Sequence, residues 1–127
     1  MKEAAMVAQQ GTNPGQPVKR VGRVIGVKPE KLAYYRELHA DGNAGVRDLL
    51  ARYHIRNFSI FLRPCEDGHH HLLFAYFEYV GDDYTGDLAR LAAEPRNQAW
   101  PALCDPCQVP LAGETSWADM DTVYYNP

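Results

Sequence analysis

The feature that most constrains the fold is a pair of aromatic-rich strand patterns separated by a short turn. The first, "IRNFSIFLR" (55–63), alternates β-branched and aromatic residues, and the second, "HHHLLFAYFEYV" (69–80), is also rich in aromatic residues. The segment between them, 64–68, contains proline and glycine, which favour turns. Two strands joined by a short turn pair as an antiparallel hairpin. The two patterns therefore predict an antiparallel sheet.

A strand pattern and a helical pattern precede the hairpin. The segment "VKRVGRVIGV" (18–27) alternates apolar residues with basic residues or glycine, as a first strand does. Helical spacing then runs from about Glu30 to Tyr53, with "DGNAG" (41–45) in its middle. The two glycines of that segment predict a kink or a break between two helices.

Two short helices and a final strand are predicted after the hairpin. Either Asp82 or Asp83 is placed to cap a helix that Pro95 ends, and a second short helix is expected over 98–103. The segment "WADMDTVYY" (117–125) is the predicted last strand. Three of its residues are expected in the core: Trp117, Met120 and Val123.

The order β-α-β-β-α-β predicts an α+β fold of the ferredoxin-like type, with helices on one face of the antiparallel sheet. The other face needs a cover, because strand aromatics such as Phe61 and Phe74 are unfavourable in water. A homodimer packed sheet to sheet, forming a dimeric α+β barrel, is the simplest cover. Residues 1–18 lack apolar periodicity and are expected to be a flexible leader. Residues 19–127 are expected to form a single domain.

The composition argues against two classes of partner. The 127 residues carry a net charge of −3, and the longest basic run is Lys19-Arg20. Nucleic acid is not expected as the main partner, because neutralising phosphates needs clustered lysine and arginine. No apolar run reaches the roughly 18 residues that cross a bilayer, and the N-terminus lacks the order of a signal peptide. A cytoplasmic protein without a membrane partner is therefore expected.

Two motifs with metal-binding spacing are interpreted as structural. The segment "CDPC" (104–107) has the CxxC spacing of zinc and redox sites, but it lies among prolines and lacks a clear second pair of ligands. The segment "HHH" (69–71) follows the hairpin turn, and at most two of its side chains share one face of a strand. We therefore expect reduced cysteines, solvated histidines and no metal site.

One helix carries polar groups on the side that should face the core. In "KLAYYRELH" (31–39), steps of three and four residues bring Leu32, Tyr35 and His39 to one face. One interpretation is a hydrogen-bonded structural histidine. The other is a proton-transfer pair, because an imidazole that titrates near neutrality lies one turn from a phenolic hydroxyl. The segment "DGN" (41–43) favours the second interpretation, because the regular apolar face ends there, as at the mouth of a pocket.

Five segments resemble the L-rhamnose mutarotase family of small sugar-anomer epimerases. They are "VKPEKLAYYRELH", "RNFSIFL", "LLFAYFEYVGDDYTGDLARLAAEP", "QAWPALCDPCQ" and "WADMDTVYY", and the resemblance covers roughly residues 19–125. It implies a dimeric α+β barrel that works without a metal or organic cofactor. It also implies interconversion of the α and β pyranose anomers of a 6-deoxy sugar, such as L-rhamnose or L-fucose, by general acid–base ring opening.

The resemblance also implies which residues form the site. The family's tyrosine and, four residues on, its histidine proton donor fall on Tyr35 and His39, which would be the catalytic residues. An aromatic residue that lines the family's sugar site falls on Phe58. A tandem Trp-Trp that contacts sugar falls on Trp100 and Pro101. The expected substrate-binding residues are therefore Tyr35, Phe58, Trp100 and Pro101.

The chain departs from the family pattern around the sugar. Phe58 stands where tyrosine is usual, Pro101 replaces the second tryptophan, and "ADGNAGVRD" (40–48) replaces a Trp-Pro-Glu segment. Two other functions stay open beside the mutarotase. One is a dimeric α+β-barrel oxygenase or decarboxylase that acts on a small aromatic compound. The other is an inactive sugar-binding module, which the changes at Phe58 and Pro101 would suit.

Overall fold

A computed structural model of the protein describes residues 18–66 and 70–127. Within these residues, five strands form one antiparallel sheet. Their bounds are β1 Lys19–Val27, β2 Ile55–Arg63, β3 His71–Tyr79, β4 Gln108–Val109 and β5 Ala118–Met120. The predicted leader, 1–18, lies outside the described residues except for its last residue.

The strand order is β2-β3-β1-β4, and β5 pairs with β1 as well. Strands β1 and β3 pair from Lys19 opposite Tyr79 to Val27 opposite His71. Strands β2 and β3 form the predicted hairpin, and their register shifts between Arg56 and Ser59. The ferredoxin-like βαββαβ prediction is confirmed, because β2 and β1 flank β3 as that topology requires.

Four α-helices connect the strands in the described part of the chain. Their bounds are α1 Leu32–Leu38, α2 Arg47–Arg52, α3 Tyr84–Ala93 and α4 Pro95–Cys104. The break predicted at 41–45 falls between α1 and α2. Short 3₁₀ turns, Pro29–Lys31 and Asp105–Cys107, lead into α1 and follow α4.

The caps of the second helical pair follow from the sequence. The Asp83 carboxylate caps α3 by accepting a hydrogen bond from the Gly86 amide at 3.1 Å. Glu94 is extended, with ψ of 127°, because a residue before proline avoids the helical region. Helix α3 therefore ends before Pro95, as predicted. Helix α4 begins at that proline, three residues before the expected 98, because proline fits the first turn of a helix.

The helices cover one face of the sheet, and the core lies between. Alternate residues of β3 (Leu73, Ala75, Phe77 and Tyr79) are buried on that face. Two clusters of buried side chains form there. The first contains Ile25, Val27, Tyr35, Leu38, Leu73, Cys104 and Cys107. The second contains Val46, Leu49, Ile55, Phe77 and Leu91, and Trp100 packs against both.

The opposite face of the sheet has no helix over it in the described chain. Phe61 of β2, which is 62% exposed, lies opposite Phe74 of β3 on this face. Met120 lies opposite Gly22, whose missing side chain leaves room for the methionine methyl. We call this surface, with Phe61, Phe74, Tyr76 and Met120, the uncovered face.

The expected core positions in the last strand were wrong at two of three residues. Strand β5 ends at Met120, which is 41% exposed on the uncovered face, and Val123, in the irregular segment beyond, is 96% exposed. Only Trp117 packs against the first core cluster. Met120 is exposed because it pairs with Gly22, which lies opposite Tyr76 of the uncovered face, and Val123 lies beyond the last residue that pairs with β1.

Candidate active site

Helix α1 brings Tyr35 and His39 together. The helix is seven residues long, and His39 is the residue that ends it. Tyr35 is buried in the first core cluster, whereas His39 is half-buried at the surface of that cluster. The two ring centroids are 4.4 Å apart with an angle of 30° between the ring planes. The side chains that the sequence predicted as a pair are therefore in contact.

The backbone of Tyr35 determines which nitrogen of His39 is available for chemistry. His39 Nδ1 lies 2.8 Å from the carbonyl oxygen of Tyr35. A carbonyl oxygen accepts but cannot donate, so Nδ1 must carry a hydrogen. Nε2 is therefore the nitrogen of His39 that can give a proton to a ligand or take one from it.

Two further contacts hold His39 in place. The indole of Trp100 lies edge-on to the imidazole, with ring centroids 5.5 Å apart and an interplanar angle of 76°. Arg47, from α2, donates a hydrogen bond of 2.9 Å to the carbonyl of His39. The end of α1 is thus fastened to both of the neighbouring helices.

Trp100 itself is positioned by a contact between α4 and α2. Arg96, one turn before Trp100, forms a two-pronged ion pair with Asp48, with both N–O distances at 2.7 Å. The Arg96 guanidinium holds the pKa of Asp48 down at about 2. Gly45 lies directly under the indole, since an added Cβ would be 3.1 Å from Trp100 Cη2.

The hydroxyl of Tyr35 forms a hydrogen bond within the protein. It accepts a hydrogen bond of 3.2 Å from the side-chain amide of Gln108, the first residue of β4. Burial raises the pKa of Tyr35 to about 12, an effect that the Gln108 hydrogen bond opposes. The phenol is therefore neutral at physiological pH. The sequence does not predict this contact, because Gln108 lies 73 residues after Tyr35 and no motif links the two residues.

A cavity of about 230 Å³ opens beside this pair. Its polar lining residues are Tyr35, Arg36 and His39, and its aliphatic ones are Leu32, Ile60, Leu62 and Leu73. Sites for drug-sized ligands are about 300–1,000 Å³, so this cavity suits one small ring. Arg36 was not singled out in the sequence, because its spacing on α1 predicts only a solvated charge.

The other predicted site residues lie outside the cavity lining. Phe58 is 42% exposed and stacks on Phe77, with ring centroids 5.4 Å apart and the planes nearly parallel. It is two residues from Ile60, which does line the cavity. Pro101 is exposed on α4, next to Trp100. The structure thus brings Tyr35, His39 and Trp100 together, with Phe58 and Pro101 further out.

The two motifs with metal-binding spacing give no cluster in the described residues. Cys104 and Cys107 are free thiols buried in the first core cluster, rather than in a loop, and burial raises the pKa of Cys104 to about 12. His71 accepts a hydrogen bond from the Cys65 amide at 3.0 Å, whereas His69 lies outside the described residues. Within 18–66 and 70–127, no three His, Cys, Asp or Glu side chains are grouped to hold a metal ion.

A second polar network, which no motif in the sequence indicates, lies around Asp87 of α3. The buried Asp87 carboxylate accepts hydrogen bonds from the Tyr79 hydroxyl at 2.5 Å and from Arg90 at 2.7 Å, and His54 Nδ1 lies 3.1 Å away. The bonds from Tyr79 and Arg90 lower the pKa of Asp87 to about 2. Burial, and next the bond to Asp87, raise the pKa of Tyr79 to about 12. This network ties α3 to β3 and to the turn before β2.

Comparison with known proteins assigns the chain to a family. No curated protein matches it at a significant level. None of the helices within 18–66 and 70–127 has the length and apolar character that crossing a membrane requires. A family model described as L-rhamnose mutarotase matches residues 20–126, which include α1, the cavity and both core clusters. The chain therefore belongs to the L-rhamnose mutarotase family, isomerases that interconvert the anomers of L-rhamnose.

Proposed function

We propose that the cavity beside α1 is the mutarotase site and that His39 is its proton donor. The observation that carries this proposal is the hydrogen bond between His39 Nδ1 and the Tyr35 carbonyl. It leaves the Nε2 proton for exchange with a ligand, and His39 is one of the polar residues that line the cavity. A histidine titrates near neutral pH and can therefore both give and take a proton under physiological conditions.

The reaction needs proton transfers that accompany the opening and closing of the pyranose ring. The His39 imidazolium gives its Nε2 proton to the ring oxygen of the pyranose as the bond between C1 and that oxygen breaks. The anomeric hydroxyl loses its proton, which restores the imidazolium, and C1 becomes an aldehyde carbon. Rotation about the C1–C2 bond and the reverse steps on the other face of the aldehyde close the ring as the opposite anomer. General acid–base catalysis of this kind contributes about 10²–10⁴ in rate.

The remaining site residues are assigned positions around the sugar. The aliphatic residues Leu32, Ile60, Leu62 and Leu73 suit the C–H face of the sugar ring. Tyr35 and Trp100 are positioning residues, since both pack against His39. Phe58 would contact only a substituent that projects from the cavity along β2. Pro101 is exposed on α4 and makes no contact with the sugar in this proposal.

The proposal is tested by exchange NMR on the anomeric protons of L-rhamnose and L-fucose, with the wild type and a His39→Gln variant. The wild type should accelerate the exchange between anomers. Circular dichroism should show that the variant is folded, and its rate of anomer exchange should be lower by a factor of about 10² or more. Binding without faster exchange would favour a sugar-binding module. If neither sugar binds nor exchanges, the site assignment is wrong and chemistry on a small aromatic compound becomes the better explanation.

We also propose that the protein is a homodimer, joined through the uncovered face. Phe61 and Met120 expose apolar surface there, and Val123 and Tyr124, in the segment that follows β5, are also exposed. A second copy of the chain would remove this surface from water and close the two sheets into a barrel. A reducing compartment such as the cytoplasm is proposed as well, because Cys104 and Cys107 are free in the core.

A further inference from the structure

Among the described residues that line the cavity, Arg36 is the only arginine or lysine, so it carries a permanent positive charge. It is exposed at the mouth, and it makes no hydrogen bond or ion pair with any described residue. Five other arginines do pair with carboxylates: Arg23, Arg47, Arg52, Arg90 and Arg96. The described lining residues include no aspartate or glutamate. The charge of Arg36 is therefore available to a ligand.

The spacing of Arg36 and His39 on α1 suits simultaneous contact with the C6 group and the ring oxygen of a pyranose. Residues three apart on a helix share a face, with about 5–6 Å between their Cβ atoms. In a pyranose, the ring oxygen is bonded to C5, and C5 carries the exocyclic carbon C6. If His39 Nε2 meets the ring oxygen, a group on C6 comes within reach of the long Arg36 side chain.

We propose that Arg36 binds a carboxylate at C6, so that the site also accepts hexuronates. This inference rests on the assignment of the cavity as the mutarotase site. A guanidinium presents parallel N–H donors that match the two oxygens of a carboxylate, and such charged pairs are stronger than neutral hydrogen bonds. The carboxylate lies at the open mouth, beside Arg36, while the C–H face of the ring rests on the aliphatic lining.

The test uses two pairs of sugars whose members differ only in a methyl group or a carboxylate at C6. They are L-rhamnose with L-mannuronate, and L-fucose with L-galacturonate. For each sugar, kcat/KM for anomer exchange is measured by NMR at neutral pH. The variants are Arg36→Gln, Arg36→Lys and Arg63→Gln. Arg63, at the end of β2, is also exposed and without a partner among the described residues, but it does not line the cavity.

We expect Arg36→Gln to lower the ratio of kcat/KM for uronate over deoxy sugar by about tenfold to a hundredfold, the usual strength of hydrogen bonds to charged groups. Arg36→Lys should retain part of the ratio, and Arg63→Gln should match the wild type. Salt should lower the wild-type ratio, because the site is open to solvent.

Three results would count against the inference. If the wild type accelerates anomer exchange of L-rhamnose but not of L-mannuronate, Arg36 does not bind a carboxylate at C6. The assignment of the cavity as the mutarotase site would still stand. The same follows if Arg36→Gln slows both members of a pair equally, since Arg36 would then serve any sugar. If the wild type accelerates none of the four sugars, the assignment of the cavity fails and the inference fails with it.

Discussion

Tyr35 contributes to the site through three different groups. Its carbonyl accepts from His39 Nδ1, its ring lies against the imidazole, and its hydroxyl accepts from Gln108. Only the first two reach His39. A phenol with a pKa raised to about 12 is a poor proton relay at neutral pH. At the scale of the residue, these contacts favour a positioning role for Tyr35 in the proposed site over the catalytic role that the family resemblance implies.

Replacing Tyr35 by Phe separates these contributions. The variant keeps the carbonyl and the ring, so kcat for L-rhamnose exchange should fall by no more than about threefold, far less than the 10² expected on loss of a general acid. The free energy of unfolding should fall by about 1 kcal/mol, because the Gln108 amide loses its partner. Exchange NMR and urea denaturation measure the two effects. A loss of activity as large as that of His39→Gln would instead make the hydroxyl a proton relay.

At the scale of the elements, the link between α1 and α2 holds the site through Gly45. This residue has φ of 52°, in the left-handed region, and its missing side chain leaves room for Trp100. Arg96 also donates to its carbonyl at 3.2 Å. The link between α1 and α2 thus packs directly against the indole that contacts His39.

Replacing Gly45 by Ala should strain this link. A Cβ in the left-handed region costs about 1–2 kcal/mol, and this one would press on the indole at 3.1 Å. We expect a lower free energy of unfolding by about that amount and a lower kcat for anomer exchange. Gly42→Ala is the matched control, because nothing lies within 4 Å of its Cβ position. Equal effects of the two substitutions would show that the indole contact is unimportant.

The Asp87 network should make stability depend on pH in a defined direction. The pKa of Asp87 falls from 3.8 to about 2 on folding, so its contribution is present above about pH 4 and is lost between about pH 4 and 2. Asp87→Asn should lower the free energy of unfolding by about 2 kcal/mol at pH 7, because hydrogen bonds to a charged acceptor are lost. The deficit should shrink towards pH 2, as urea denaturation at several pH values would reveal. A deficit that is constant from pH 7 to 2 would contradict the proposed ionisation.

The elements differ in how far the sequence predicts them. Strands β2 and β3 followed from alternating aromatic and β-branched residues, and the limits of α3 followed from Asp83 and Pro95, because these signals are local. The length of β5 did not, because it depends on how far the chain stays paired with β1, and no pattern within 117–125 marks Met120 as the last paired residue. The sequence also does not predict that Gln108 contacts Tyr35 or that Arg36 lines the cavity. Their roles come from side chains that the fold brings near them, not from spacing along the chain.

At the scale of the whole molecule, the uncovered face of the sheet exposes apolar side chains to solvent. The C-terminal segment covers part of it, since the Arg20 guanidinium lies 3.6 Å from the ring centroid of Tyr125 and donates to its hydroxyl at 2.6 Å. Phe61 stays exposed beyond that contact. Apolar surface of this kind marks a site of association.

Replacing Phe61 by Glu should separate the proposed dimer into monomers, because a carboxylate would be buried at the interface without a partner. Light scattering should give about twice 14.3 kDa for the wild type and about 14.3 kDa for the variant. Tyr34→Glu is the control, since Tyr34 is an exposed aromatic on α1, away from the sheet. A monomeric wild type would overturn the homodimer, and so would a dimeric Phe61→Glu.

Trp100 belongs to both core clusters and also touches His39. A side chain shared by two clusters makes them cooperative, since loosening either one removes packing from the other. The two halves of the core should therefore melt in a single step, and the site should be lost in that same step. The molecule would then have no partly unfolded form that still turns over sugar, and its catalytic activity would report the integrity of the entire core.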